Sequence, residues 1–196
     1  MKKAEIILSV CGIAALVMNI FLIPGAGLLT VLTLMTLSVY YFYSGYVIYF
    51  SNKLRIFFGK ESNQNLNLLQ KAATFASGIG LSLVLVGIVF KIQFWSGAKL
   101  QLNIGLLLLL LVFIVGLFNY IKTKSDFFIS IINRIVLWGG IGLLFALTSD
   151  ADLVQFKYRN HPALRDAILQ ALEHPNQSYL WDNVQKERDK MYEEKE

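Results

Sequence analysis

Long apolar runs dominate the first three quarters of this chain. A helix needs about 20 mostly apolar residues to cross the ~30 Å hydrocarbon core of a bilayer. Five stretches reach or approach that length: Ala4–Ile23, Leu28–Phe50, Ala72–Gln93, Leu100–Ile121 and Phe127–Leu147. Because lipid cannot hydrogen-bond an open backbone, each predicted span is a helix. The pattern therefore predicts an all-α, polytopic membrane protein.

The first four runs form two similar hairpins. Residues 18–26 read Met-Asn-Ile-Phe-Leu-Ile-Pro-Gly-Ala, and residues 90–98 read Phe-Lys-Ile-Gln-Phe-Trp-Ser-Gly-Ala. An offset of 72 positions also aligns identical residues at Val17 and Val89, Ile20 and Ile92, and Leu28 and Leu100. Turns this short require antiparallel neighbours. We predict one transmembrane hairpin in residues 1–50, its repeat in residues 72–121, and a fifth transmembrane helix over residues 127–148.

The chain after the fifth run is amphipathic. Pro162 suits the first position of a helix, and His174-Pro175 ends it. Two apolar stripes follow at helical spacing, Leu164, Ile168 and Leu172 in the first and Leu180, Trp181 and Val184 in the second. We predict a small extramembrane helical hairpin within residues 150–196. Its stripes pack on each other by default, with the membrane surface or a partner protein as alternatives, so these six residues are candidates for partner docking.

Basic residues cluster on one side of the predicted membrane. Residues 1–149 carry eleven Lys or Arg and three Asp or Glu, a net +8, whereas residues 150–196 carry seven and ten, a net −3. The N-terminus, the connection 51–71 and the segment 122–124 hold eight lysines and arginines, against two for the two hairpin turns. The positive-inside rule then predicts a cytoplasmic N-terminus in a bacterial inner membrane, with both turns and the tail outside. If the fifth run does not cross, the tail stays inside.

Two basic residues fall within predicted spans. Lys91 is expected to anchor the second hairpin at the interface by snorkelling beside Trp95, or to act as a buried charge partner between subunits. Arg134 precedes only 13 uninterrupted apolar residues, about 20 Å of helix, so either its helix begins earlier or it lies tilted or in a locally thinned bilayer. We expect its guanidinium to snorkel, or to pair with Asn119 or with an acidic partner protein.

A set of smaller polar residues also lies inside the spans. Thr30, Thr33 and Thr36 form a stripe on the second helix, Asn19 ends the first, and Asn103 begins the fourth. Threonine in a helix commonly bonds a carbonyl one turn back, and the alternative is a polar lining or a helix–helix contact. A lining made by Asn19, Thr30, Thr33 and Asn103 would suit a small oligomeric transporter or channel.

Chemistry-bearing motifs are scarce. The single cysteine, Cys11, allows no intrachain disulfide, and the chain has no glycine-rich phosphate loop and no Cys/His ligand set. Glu5 and Asp126 are the only acids at the margins of the spans. We therefore expect no enzyme, metal or cofactor, and we assign the basic balance to membrane flanks rather than to nucleic-acid binding.

The segment from Gly87 to Leu100, followed by Asn103 and Gly105, resembles a known membrane hairpin. It is similar to the hairpin of GldL, the gliding-motility and type IX secretion motor subunit of Bacteroidota, whose turn reads Phe-Lys-Ile-x-His-Trp-Pro-Gly-Ala. The positions that fit this motif are Lys91, Trp95, Gly97 and Ala98 in the second hairpin and Pro24, Gly25 and Ala26 in the first.

This chain departs from the family pattern in two respects. Leu22 and Phe94 stand where the family has histidine, and neither helix after a turn carries the glutamate that the family ties to proton use. The resemblance implies the hairpin architecture without the proton motor. We predict a non-enzymatic inner-membrane scaffold or accessory subunit. Its expected partners are membrane lipids and other membrane proteins or further copies of itself.

Overall fold

The computed structural model describes residues 2–50 and 67–193, and every regular element in these ranges is a helix. Five helices are each long and apolar enough to cross a membrane, which confirms the predicted all-α, five-span architecture. They are α1 Lys2–Ile20, α2 Ala26–Phe50, α3 Leu68–Ile92, α4 Ala98–Thr123 and α5 Asp126–Leu147. The tail adds α6 Asp150–Lys157, α7 Pro162–Glu173 and α8 Ser178–Glu193. Most of the basic connection predicted at 51–71 lies outside the described residues.

The third helix is the centre of the membrane bundle. Of the residues in the apolar stretch of α3, 61% are buried, against 22% for α4, because α3 packs between α2 and α4. A π-helical turn at Ile135–Gly139 interrupts α5 and brings Trp138 into the same core, where its ring is fully buried.

Two glycines allow α2 and α3 to cross closely. A Cβ added at Gly78 would lie 2.7 Å from the carbonyl oxygen of Tyr41 and 3.1 Å from the Cα of Gly45. Backbone atoms cannot move aside as a flexible side chain can. Glycine is therefore required at this crossing, as small residues are at many membrane helix contacts.

The two hairpin turns have the same backbone conformation. Leu22 and Phe94 have φ values of 56° and 58°, and Gly25 and Gly97, three residues later, have 78° and 89°. The amide of Ile23 donates to the carbonyl of Met18, and at the same offset the amide of Trp95 donates to that of Phe90. A left-handed conformation is rare for leucine and phenylalanine, so tertiary contacts must stabilise it in both turns.

The tail forms a second, smaller core on the turn end of the bundle. Its buried side chains include Val154 from α6, Leu164 and Ile168 from α7, and Val184 from α8. Leu22 and Phe94 of the two turns pack against this core. The helix α6 was not predicted from the sequence. Since the tail lies beside both turns, α5 runs the full length of the bundle and the tail is on the same side as the turns.

Candidate docking site between the tail and the hairpin turns

A single short helix joins the two hairpins. At the start of α6, the Asp150 carboxylate lies 2.6 Å from the Lys91 ammonium of the second hairpin. At its end, the Lys157 ammonium donates to the Asn19 side-chain oxygen of the first hairpin at 2.5 Å. Asn19 and Lys91 are equivalent positions at the offset of 72. The tail is thus fixed to the same point of each hairpin.

The burial of Lys91 corrects its expected role as a snorkelling anchor. Its side chain is only 8% exposed, whereas that of Asp150 is 55% exposed. A lysine this buried requires a partner, because desolvation penalises an unpaired charge. The partner comes from the tail of the same chain rather than from the open interface or another subunit. Trp95 is half exposed and contacts the edge of Phe90, with ring centroids 5.2 Å apart.

Thr30 links the first two helices and positions Asn19. Its hydroxyl oxygen lies 2.7 Å from the carbonyl oxygen of Ala26 on its own helix and 2.9 Å from that of Ala15 on α1. The Asn19 amide nitrogen donates to the same hydroxyl at 3.4 Å, which leaves the amide oxygen facing Lys157. Asn19 and Thr30 therefore belong to the site where the tail attaches to the bundle.

The remaining candidates for a polar path lie elsewhere. Thr33 and Thr36 donate to carbonyls one turn back on α2, at 2.7 Å each, as the simpler interpretation of the stripe predicted. Asn103 lies on the exposed outer face of α4. The four residues proposed to line a channel, Asn19, Thr30, Thr33 and Asn103, are not brought together, so the structure gives no support to that lining.

A second polar cluster joins three helices far from the turns. Arg134 in α5 forms a two-pronged ion pair with Glu5 of α1, with Nε–Oε1 at 2.6 Å and Nη2–Oε2 at 2.7 Å. The Tyr41 hydroxyl of α2 donates to the same carboxylate at 3.1 Å. The expected snorkelling of Arg134 and its alternative pairing with Asn119 are therefore wrong. Asn119 instead donates to Val115 on its own helix at 2.8 Å.

The predicted docking stripes of the tail pack mainly on each other. Leu164, Ile168 and Val184 are buried in the tail core. Leu172, Leu180 and Trp181 are partly buried against that core. The first three are occupied by contacts within the chain, so a partner can reach only the second three without opening the tail. Partner binding at these residues stays a prediction.

The turn-motif residues take structural positions. Gly25 and Gly97 hold the left-handed conformations described above, and Pro24 is exposed beside Gly25. Ala26 and Ala98 are buried at the starts of α2 and α4. Among the residues that the structure describes, no group of three or more His, Cys, Asp or Glu side chains is placed to hold a metal ion.

Burial, together with the nearby charge of Arg188, lowers the pKa of Lys157 from 10.5 to about 8. The free tail therefore holds this proton more tightly than the docked tail. As the pH rises between these two values, the docked tail loses this proton first, and attachment of the tail to the bundle becomes more favourable. Each unit of pKa difference corresponds to ~1.4 kcal/mol, so the docking equilibrium should strengthen about tenfold or more. A neutral amine still donates to Asn19. Spin-label distances between Leu100 and Tyr179, in a chain with Cys11 replaced by serine, would measure the docked fraction.

The matched control for this pH series is Lys157→Met, which removes the titrating group but keeps the Lys91–Asp150 pair. Its docked fraction should not change over the same pH range. A docked fraction of the unmodified chain that falls as the pH rises would contradict the assignment to Lys157.

Five helices long and apolar enough to span a membrane define this molecule as a multi-pass membrane protein. The family model of the GldL N-terminal domain matches residues 76–128, which comprise most of α3, all of α4 and the start of α5. No curated protein and no solved structure matches the chain. The family match confirms the resemblance of the second hairpin. It does not extend to the first hairpin, so the duplication stays a prediction.

Proposed function

We propose that this protein is a non-enzymatic accessory subunit of an inner-membrane complex, of the gliding or type IX secretion kind, and that its docked tail holds a partner protein. The observation that carries this proposal is the attachment of α6 to equivalent points of both hairpins, Lys91 and Asn19. Such an attachment turns a tail of three short helices into a fixed surface above the membrane. The GldL match over residues 76–128 supports the kind of complex.

The outer surface of the bundle suits lateral packing. Of the five spanning helices, α4 has the smallest buried share of its apolar stretch. Its exposed side chains include Leu107, Leu111 and Phe118. Neither α2 nor α4 carries an acidic residue. Intramembrane carboxylates are typical of proton-coupled machines, and the buried Glu5 carboxylate of α1 is held in an ion pair with Arg134. The composition of α2 and α4 therefore favours a scaffold over a second motor.

We also propose that the N-terminus is cytoplasmic and that the turns and tail are periplasmic. The lysine asymmetry motivates this orientation. With Cys11 replaced by serine, a cysteine at Tyr179 in the tail should react with a membrane-impermeant maleimide in intact spheroplasts, and a cysteine at Lys122 should react only after lysis. The reverse pattern would place the tail in the cytoplasm.

Undocking the tail should release the partner. Asp150→Lys places a second cation beside buried Lys91 and should weaken docking by about 2 kcal/mol, the scale of an unsatisfied buried charged group. We expect at least fivefold less of any membrane protein co-purified from native membranes. Exchange of the pair, Lys91→Glu with Asp150→Lys, should restore most of it, and deletion of residues 150–196 should abolish it.

The controls separate docking from folding. Hydrogen exchange over α6 should rise in Asp150→Lys while exchange over α3 stays unchanged. If the intact chain co-purifies with nothing, the accessory-subunit proposal fails. If Asp150→Lys, with its tail detached from the bundle, keeps its partner protein in full, the attached tail is not the surface that binds the partner.

A further inference from the structure

A cleft of about 680 Å³ lies between the turn of the second hairpin and the tail. Phe90, Trp95 and Lys99 line it from the bundle, and Trp181 and Arg188 line it from α8. The cleft combines aromatic walls with several cations. It overlaps the partner-docking residues proposed above at Leu172, Trp181 and Val184, but the cations that line it are not among those residues.

The cleft carries a net positive charge. Lys91, Lys99 and Arg188 line it, and among the described lining residues Asp150 alone is acidic. Lys91 is occupied by Asp150 at 2.6 Å, so two further cations face the space. Lys99 is the second residue of α4, whose first-turn amides add positive potential at the same place. Charge complementarity therefore favours an anion.

The position of the cleft relative to the membrane identifies the kind of anion. Leu100 follows Lys99 directly and starts an exposed apolar stripe on α4 that continues through Ile104, Leu107 and Leu111. Half-exposed Trp95 marks the interface between water and hydrocarbon. Lys99 thus lies at the depth of lipid headgroups, and the stripe below it can contact acyl chains.

We propose that this cleft binds the phosphate of an anionic phospholipid, with Lys99 and Arg188 as its ligands. The phosphate oxygens accept hydrogen bonds from the Lys99 ammonium and the Arg188 guanidinium. The acyl chains lie along the stripe that Leu100 begins. Because Arg188 belongs to the tail and Lys99 to the bundle, a bound lipid links the two parts and strengthens docking of the tail.

The first test uses the unmodified chain in vesicles of phosphatidylcholine and phosphatidylglycerol at 3:1. Trp95 and Trp181 line the cleft, so brominating the phosphatidylglycerol near the glycerol should quench tryptophan emission at least threefold more, per brominated lipid, than brominating the phosphatidylcholine. Equal quenching by the two lipids would overturn the proposal. Millimolar inorganic phosphate should leave most of the difference in place, because free phosphate lacks the acyl chains that contact the stripe beginning at Leu100. A difference abolished by phosphate would show that the cleft recognises phosphate without those acyl-chain contacts, which would overturn the assignment to a lipid.

The second test uses Lys99→Gln with Arg188→Gln. Native mass spectrometry should detect at least tenfold less retained phosphatidylglycerol than with the unmodified chain. The matched control is Lys122→Gln with Lys186→Gln, which removes two cations outside the cleft and should retain lipid fully. Equal retention by both double variants would contradict the site, and circular dichroism of each variant would show that the helices are intact.

Discussion

Replacing Arg134 with methionine is expected to cost about 3 kcal/mol of stability, the scale of breaking a buried ion pair. The Glu5 side chain is 11% exposed and Arg134 is 26% exposed, so the variant leaves a desolvated carboxylate whose remaining partner, among the residues that the structure describes, is the Tyr41 hydroxyl. Titration with sodium dodecyl sulfate in mixed micelles, followed by circular dichroism, would measure the change.

Two further variants separate the ion pair from simple packing. Glu5→Gln with Arg134→Met removes both charges and should recover most of the stability, since the glutamine can still accept from Tyr41. Arg134→Lys keeps the charge but loses the two-pronged geometry, so its stability should be intermediate. An Arg134→Met chain that unfolds at the same detergent fraction as the unmodified chain would show that the pair contributes nothing.

Substituting Gly78 with alanine should destabilise the bundle by about 2 kcal/mol, as overpacking in a close-packed interior does. The new methyl group would meet the Tyr41 carbonyl oxygen at 2.7 Å, so α2 and α3 must separate. Gly140→Ala is the matched control, because a Cβ there meets no atom within 4 Å. Both changes gain the same ~1 kcal/mol of helix propensity, so the difference between them isolates the crossing.

The same detergent titration distinguishes the two variants. Gly140→Ala should unfold at the same detergent fraction as the unmodified chain or a higher one, and Gly78→Ala at a clearly lower one. Equal midpoints for the two variants would mean that the crossing has room for a methyl group.

Sequence patterns predicted the spans well because hydrophobic length is a local property. Four of the five predicted runs differ from the observed helices by two to four residues at one or both ends. Of the two interpretations of the short apolar run after Arg134, the structure agrees with an earlier helix start, at Asp126. The offset of 72 aligned the two turns by residue identity, and the matching left-handed conformations of Leu22 and Phe94 were found only in the structure.

Polar pairings could not be predicted in the same way, because they depend on which helix faces meet. Glu5 and Arg134 are 129 positions apart, and Glu5 looked like an ordinary residue at the margin of a span. The sequence favoured an interfacial anchor at Lys91, because its pairing with Asp150 depends on how the tail folds back onto the bundle. One signal was available: Asn19 and Lys91 are the polar positions that the repeat aligns, and both contact the tail.

The long-range contacts of α1 have a consequence for biosynthesis. Glu5 pairs with a residue 129 positions later, and Asn19 bonds to one 138 positions later. While the ribosome is still making the second hairpin, neither Arg134 nor Lys157 has been synthesised. The Glu5 carboxylate on α1 therefore has no guanidinium partner in the membrane until α5 is inserted. The bundle can be completed only after all five helices have been inserted. A chain truncated before Arg134 would leave α1 without its contacts to Arg134 and Lys157.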